Sequence, residues 1–160
     1  MIGYLDLREF VDTKYTGDTA VSAMNFFANC NALIIDLRKN GGGWDEMVTF
    51  LMAFIIDANE SQLLSVSHSK LDGTYYSSII SSYVPGARRA DIPTYILTSR
   101  STASAAEGFT HKMKLLNKNV TQVVENTAGA ENPVDFLILD DQFILKIPCW
   151  RKIFSITESG

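Results

Sequence analysis

The sequence has little of what most readily announces a function. It holds two cysteines, Cys30 and Cys149. They show no metal-type spacing and leave both pairing and free thiols open. No basic run is present, since Arg88-Arg89 is only a pair, and the net charge is −4. Both facts argue against a nucleic-acid partner. The longest apolar stretch, Met47 to Ile56, is interrupted by Thr49 and is too short to span a bilayer. Met1 to Leu7 reads as a strand, not as the charged and apolar regions of a signal peptide. Repeats, low-complexity segments and internal linkers are absent. What remains is an ordinary globular composition, 46% hydrophobic and 20% charged, in 160 residues, which suits one domain with a real core.

Strand and helix patterns alternate over most of the chain, which predicts an α/β domain with parallel or mixed strands. Strands are expected over residues 2–7, 32–35, 63–67, 94–98 and 120–125, and a hairpin over 136–147 around Asp140-Asp141-Gln142. Helices are expected over 17–30, with Asp18 as a cap, over 44–56 and over 105–116. Residues 73–90 are polar and rich in serine and tyrosine, with a turn at Pro85-Gly86, and give no clear element.

Two segments carry chemistry. Asn40-Gly41-Gly42-Gly43 lies between a buried strand and a helix, where backbone N–H groups can bind an anion. It matches neither a dinucleotide fingerprint nor a P-loop. The plainer reading is a turn that needs positive φ. Leu97 to Phe109 places Ser104 at a strand-to-helix junction, in the field of a helix N-terminus. A nucleophile is favoured there because the free N–H groups can hold an oxyanion, yet a serine that merely caps the helix sits there equally well. A G-x-S-x-G elbow is absent, which argues against an α/β-hydrolase.

A serine nucleophile needs a base, and the candidates are weak. His111 is seven residues along the same helix, about 10 Å up its axis, and reads as a solvated helix residue. His68 lies on or after a distant strand. Lys112 and Lys114 read as solvated helix lysines, and Glu107 as a carboxylate favoured by the helix dipole. Asp36 suits a turn, Asp140-Asp141 a hairpin tip rather than a metal site, and Trp44 and Trp150 core or rim aromatics.

Taken together, Ala32 to Gly43, Leu97 to Phe109 and Glu125-Asn-Thr-Ala-Gly129 resemble the C-terminal processing, or tail-specific, serine peptidase family. The closer resemblance is to its tricorn-like branch and to the modules of interphotoreceptor retinoid-binding protein. It runs over nearly the whole chain. It implies a ClpP/crotonase-like ββα spiral, here incomplete, as a single peptidase core over residues 1–160. It assigns Ser104 as the nucleophile, and Ala105 with Gly41 or Gly42, Gly42 being preferred, as backbone donors of the oxyanion hole. It implies peptide or unfolded-protein substrates, no cofactor or metal, and a periplasmic or extracellular place; a core without its flanking elements is also expected to expose apolar surface and tend to associate, with a partner or as a homo-oligomer.

Two departures stand out. The processing branch carries a lysine base 25 residues beyond the serine, where this chain has Gly129. The tricorn-like branch takes a histidine from an upstream helical region and an acid from a downstream element, and neither segment is found here. Glu158 is near the acidic element in order, but its surroundings do not match. The expectation is therefore a serine endopeptidase core without its base, inactive alone. The alternative is a carrier of retinoids or other hydrophobic ligands on the same fold.

Overall fold

A computed structural model describes residues 1–57, 62–131 and 134–155. Four strands form a parallel sheet in the order β1-β2-β5-β6: β1 (Ile2–Asp6), β2 (Ala32–Asp36), β5 (Thr94–Leu97) and β6 (Val120–Val123). Helices α1 (Thr13–Phe26), α2 (Asp45–Ile55) and α3 (Ala105–Leu116) lie in the connections, as parallel neighbours require. A second, antiparallel sheet of order β4-β3-β9 comprises β3 (Gln62–Ser69), β4 (Tyr75–Ile80) and β9 (Trp150–Ser155). Strands β7 (Asp135–Ile138) and β8 (Ile144–Ile147) pair only with each other.

The core sits around α2. Met47, Val48, Leu51, Met52, Phe54 and Ile55 are all buried, so this helix is apolar nearly all round. A helix of that kind needs cover on every side, and α1, α3 and β4 supply it. Phe10 and Phe109 extend the core toward the carboxyl end of the parallel sheet, with ring centroids 5.4 Å apart.

Three sequence expectations change. Helix α1 starts four residues before Gly17, and Asp12, not Asp18, caps it through a bond from the Lys14 N–H at 2.8 Å. The first turn is polar, so hydrophobic periodicity could not locate it. The stretch 73–90 contains β4, whose buried side chains are Ser78 and Ile80. An inward serine breaks the apolar alternation by which a strand is recognised. Strand β9 was not foreseen, and it completes the antiparallel sheet by pairing with β3. The hairpin is found, and Asp140 accepts bonds from the Gln142 and Phe143 N–H groups at its tip. Glu158 lies outside the described residues.

Candidate active site

Parallel α/β sheets offer their sites beyond the carboxyl ends of the strands, where connecting loops converge. Three loops meet at that end here: residues 37–43 after β2, 98–104 after β5, and 124–130 after β6. Their contacts are polar and specific. Thr102 Oγ1 donates to the Leu37 carbonyl at 2.8 Å, Ser99 Oγ to the Arg38 carbonyl at 2.6 Å, and the Ala103 N–H to the Asn40 carbonyl at 3.1 Å. The Ala128 N–H donates to the Thr102 carbonyl at 2.9 Å and ties in the third loop.

Asn40 is fully buried and organises the glycine turn. Its Nδ2 donates to the Leu7 carbonyl at 3.0 Å, and its Oδ1 accepts from the Gly42 N–H at 2.8 Å. Gly42 and Gly43 both have positive φ, +113° and +132°. A Cβ on Gly42 would stand 2.7 Å from the Ser104 Cβ, and one on Gly43 would collide with the Phe10 carbonyl. The absence of side chains therefore lets the turn press against the serine on one side and the Phe10 backbone on the other. Gly41 is exposed, and nothing crowds its Cβ direction.

Ser104 is the one non-glycine residue with positive φ among the described residues, at φ 54° and ψ −122°. An L-residue there costs on the order of 1–3 kcal/mol and persists where the surroundings over-determine it. Ala105 follows as the first residue of α3, so its N–H has no intrahelical partner. Ser104, Ala105 and Gly42 thus come together, because the Cβ direction of Gly42 also points to within 3.1 Å of the Ala105 nitrogen.

The Glu107 carboxylate lies beneath this elbow. It is 8% exposed. It accepts from the Ser104 N–H at 2.8 Å, the Gly129 N–H at 2.7 Å and the Ala130 N–H at 2.8 Å. Burial alone would raise its pKa, but bonds from the Thr127 side chain and from these N–H groups outweigh burial and lower it. The spacing Ser104-Ala-Ala-Glu107 is that of a capping box, which is the signal by which it could have been found. Asn40 and Thr102 carried no comparable local signal.

The other candidates fall elsewhere. Asp36 accepts from Tyr4 Oη at 2.6 Å and from the Arg38 N–H at 3.0 Å, and pairs with the Arg38 guanidinium. That guanidinium, helped by the Tyr4 and backbone bonds, holds its carboxyl well below the usual range. His68 packs its ring 4.7 Å from that of Tyr75, and His111 is exposed. Lys112 is not solvated: its side chain is 10% exposed, and its Nζ pairs with Asp45 at 2.9 Å and reaches Ser78 Oγ at 3.3 Å. Lys114 is exposed, as expected. Among the described residues, no histidine or lysine hydrogen-bonds Ser104. Trp44 is 55% exposed at the start of α2, and Trp150 Nε1 donates to Asp135 at 3.1 Å. Both cysteines are free and buried. No helix among the described residues is long and apolar enough to cross a membrane. None of their His, Cys, Asp and Glu residues group in threes to hold a metal.

Solved structures share this fold. A protein assigned to the S41 proteases from Bacteroides fragilis superposes with a TM-score of 0.77 at 24% identity, over 94% of this chain and 42% of that one. The photosystem II D1 C-terminal processing protease gives 0.70 at 22% identity, over 94% of this chain and 37% of that one. The tricorn protease gives 0.59 at 18% identity, over 92% of this chain and 13% of that one. This chain therefore spans less than half the length of each of these three structures. The sequence model of peptidase family S41 matches residues 1–156, and the chain belongs to that family.

Proposed function

We propose that this chain is the catalytic core of a serine endopeptidase with Ser104 as nucleophile. The observation that carries the reading is the elbow itself. Ser104 is held at positive φ, against Gly42 and at the head of α3, in an arrangement that a mere helix cap does not need. In the reaction, Ser104 Oγ adds to the peptide carbonyl carbon while its proton passes to a base. The carbonyl oxygen becomes an oxyanion held by the Ala105 N–H and by a second N–H from Gly41 or Gly42. Collapse breaks the C–N bond, and the amine leaves with the transferred proton. Water then hydrolyses the acyl-enzyme and restores the serine.

Two features qualify the roles. The Gly42 N–H already donates to Asn40 Oδ1, so it meets an oxyanion as a shared donor, while the Ala105 N–H is the freer one. No histidine or lysine hydrogen-bonds Ser104 among the described residues, the Glu107 carboxylate is held by backbone N–H groups, and Gly129 stands where the processing branch has its lysine. The base is then supplied from outside the described residues, and substrates are peptides or unfolded protein.

A fluorophosphonate probe tests this. The 160-residue chain alone is expected to label slowly or not at all, and the full-length protein to label at Ser104, with loss in Ser104→Ala. Labelling elsewhere in the full-length protein, or none, overturns the assignment. A carrier would instead use the cleft of about 600 Å³ between α1, α2 and β4, lined in part by Val21, Phe50, Ile79 and Pro85. Saturable retinol binding unaffected by Ser104→Ala, without hydrolysis, would favour that reading.

A further inference from the structure

We propose that Glu107 is a positioning residue that sets the Ser104 elbow and clamps the loop after β6 to it, so that the two move as one unit. The proposal rests on the reading of Ser104 as nucleophile. Its geometry is independent of any base. One carboxylate oxygen, Oε2, accepts from both Ser104 and Ala130, and the other, Oε1, accepts from Gly129. The group is buried, and among the described residues no cationic side chain pairs with it. A buried carboxylate satisfied by three backbone N–H groups and the Thr127 side chain makes charge-assisted bonds, which are about twice as strong as neutral ones.

These bonds join residues that are far apart in sequence. Gly129 is exposed at φ 72°, and nothing stands within 4 Å of its Cβ direction. Ser104 occupies a costly region of backbone space, and Glu107 holds the N–H of that same residue. A catalytic hydroxyl needs its geometry set to a fraction of an ångström. Glu107 meets that need from below, without occupying the face on which a substrate carbonyl would rest.

The acceptor pattern makes the isosteric variant diagnostic. Glu107→Gln keeps shape but turns one oxygen into a donor, which cannot face an N–H. Placing the amide nitrogen at the Oε1 position sacrifices one bond, to Gly129, whereas the Oε2 position sacrifices two. Glu107→Gln should therefore release Gly129 and retain Ser104, while Glu107→Ala should release both.

Amide hydrogen exchange in the full-length protein reads the clamp directly. At least tenfold faster exchange is expected at Gly129 in Glu107→Gln, and at Ser104, Gly129 and Ala130 in Glu107→Ala, with Ile96 in β5 unchanged. Fluorophosphonate labelling of Ser104 should slow about tenfold in Glu107→Ala and less in Glu107→Gln, a decade being about 1.4 kcal/mol. With peptide substrate the loss should fall on kcat rather than KM. Should Glu107→Ala not fold, Glu107→Gln carries the test. Unchanged exchange at Gly129 in Glu107→Gln overturns the proposal, as does a rise at Ile96 equal to that at Gly129, which would mark general destabilisation. Absence of labelling in the wild-type protein would overturn the nucleophile reading, and exchange alone would then decide the clamp.

Discussion

The carboxyl end of the parallel sheet and the β7–β8 hairpin are built on opposite principles. At the sheet end, loops from three strands meet through named bonds: Thr102 to Leu37, Asn40 to Leu7, Glu107 to Gly129. Asn40 and Thr102 are fully buried there, and no buried side-chain polar atom is left without a partner among the described residues. The hairpin strands instead pair only with each other, with Asp135 at their base accepting from Cys149 and Trp150, and they present Phe136 and Ile138 on one face and Leu137 and Leu145 on the other, all exposed. A lone two-stranded ribbon is marginal in water. The sheet end is held by contacts distant in sequence, so it is exacting and intolerant of change. The hairpin is held by neighbours, so it should tolerate change and expose surface that promotes association.

The contrast is broken most directly from beneath the sheet end. Phe109→Ala removes a fully buried ring that packs on Phe10, and should cost about 3–5 kcal/mol in denaturant unfolding. Gly42→Ala comes next. It combines positive φ with a methyl group 2.7 Å from the Ser104 Cβ, and should cost about 1–3 kcal/mol. It should also abolish labelling of Ser104, and labelling at the wild-type rate would show that Gly42 does not shape the elbow. Thr102→Val strips the bond to the Leu37 carbonyl and takes away the hydroxyl that accepts from the Ser99 N–H at 3.0 Å, for a loss of about 1–2 kcal/mol.

Acid sharpens the same comparison. The pKa values of Asp36 and Glu107 are depressed in the folded chain. Their contribution is therefore fully present above the unfolded carboxylate range near pH 4 and is lost as pH falls through the folded values. Melting temperatures measured from pH 6 down to pH 2 should show that slope, reduced in Glu107→Gln. An unchanged slope in that variant would remove Glu107 from the acid response. The smallest effect belongs to the hairpin. Phe136→Ser should change stability by less than about 0.5 kcal/mol, because the ring is 63% exposed, while lowering self-association in sedimentation velocity.

How far the chain could be read follows the same division. Runs such as Ala32 to Ile35 and the spacing of Met47, Leu51, Phe54 and Ile55 announce β2 and α2, since burial on all sides leaves few polar residues. Helix α3 was placed to the residue. Strand β4 was not, because one of its two inward positions is Ser78, which lies beside the buried Lys112 ammonium rather than in an apolar layer. Lys112 reads as solvated in the sequence and is buried in the fold for a related reason: its partner Asp45 is 67 residues away, and nothing local marks the pair.

The sequence by itself determined the alternation of the parallel-sheet strands with three helices, the serine at a helix start and the glycine turn after a buried strand. Each of these rests on local patterning, on backbone freedom at glycine, or on the need for apolar cover. The tertiary structure alone decided that the glycine turn abuts the serine, that Asn40 and Thr102 lock the loops, and that Glu107 binds a turn 22 residues further on. Those are hydrogen bonds between groups brought together by chain crossover. Their partners are set by three-dimensional proximity in a buried place, where an unpaired donor or acceptor is too costly to leave.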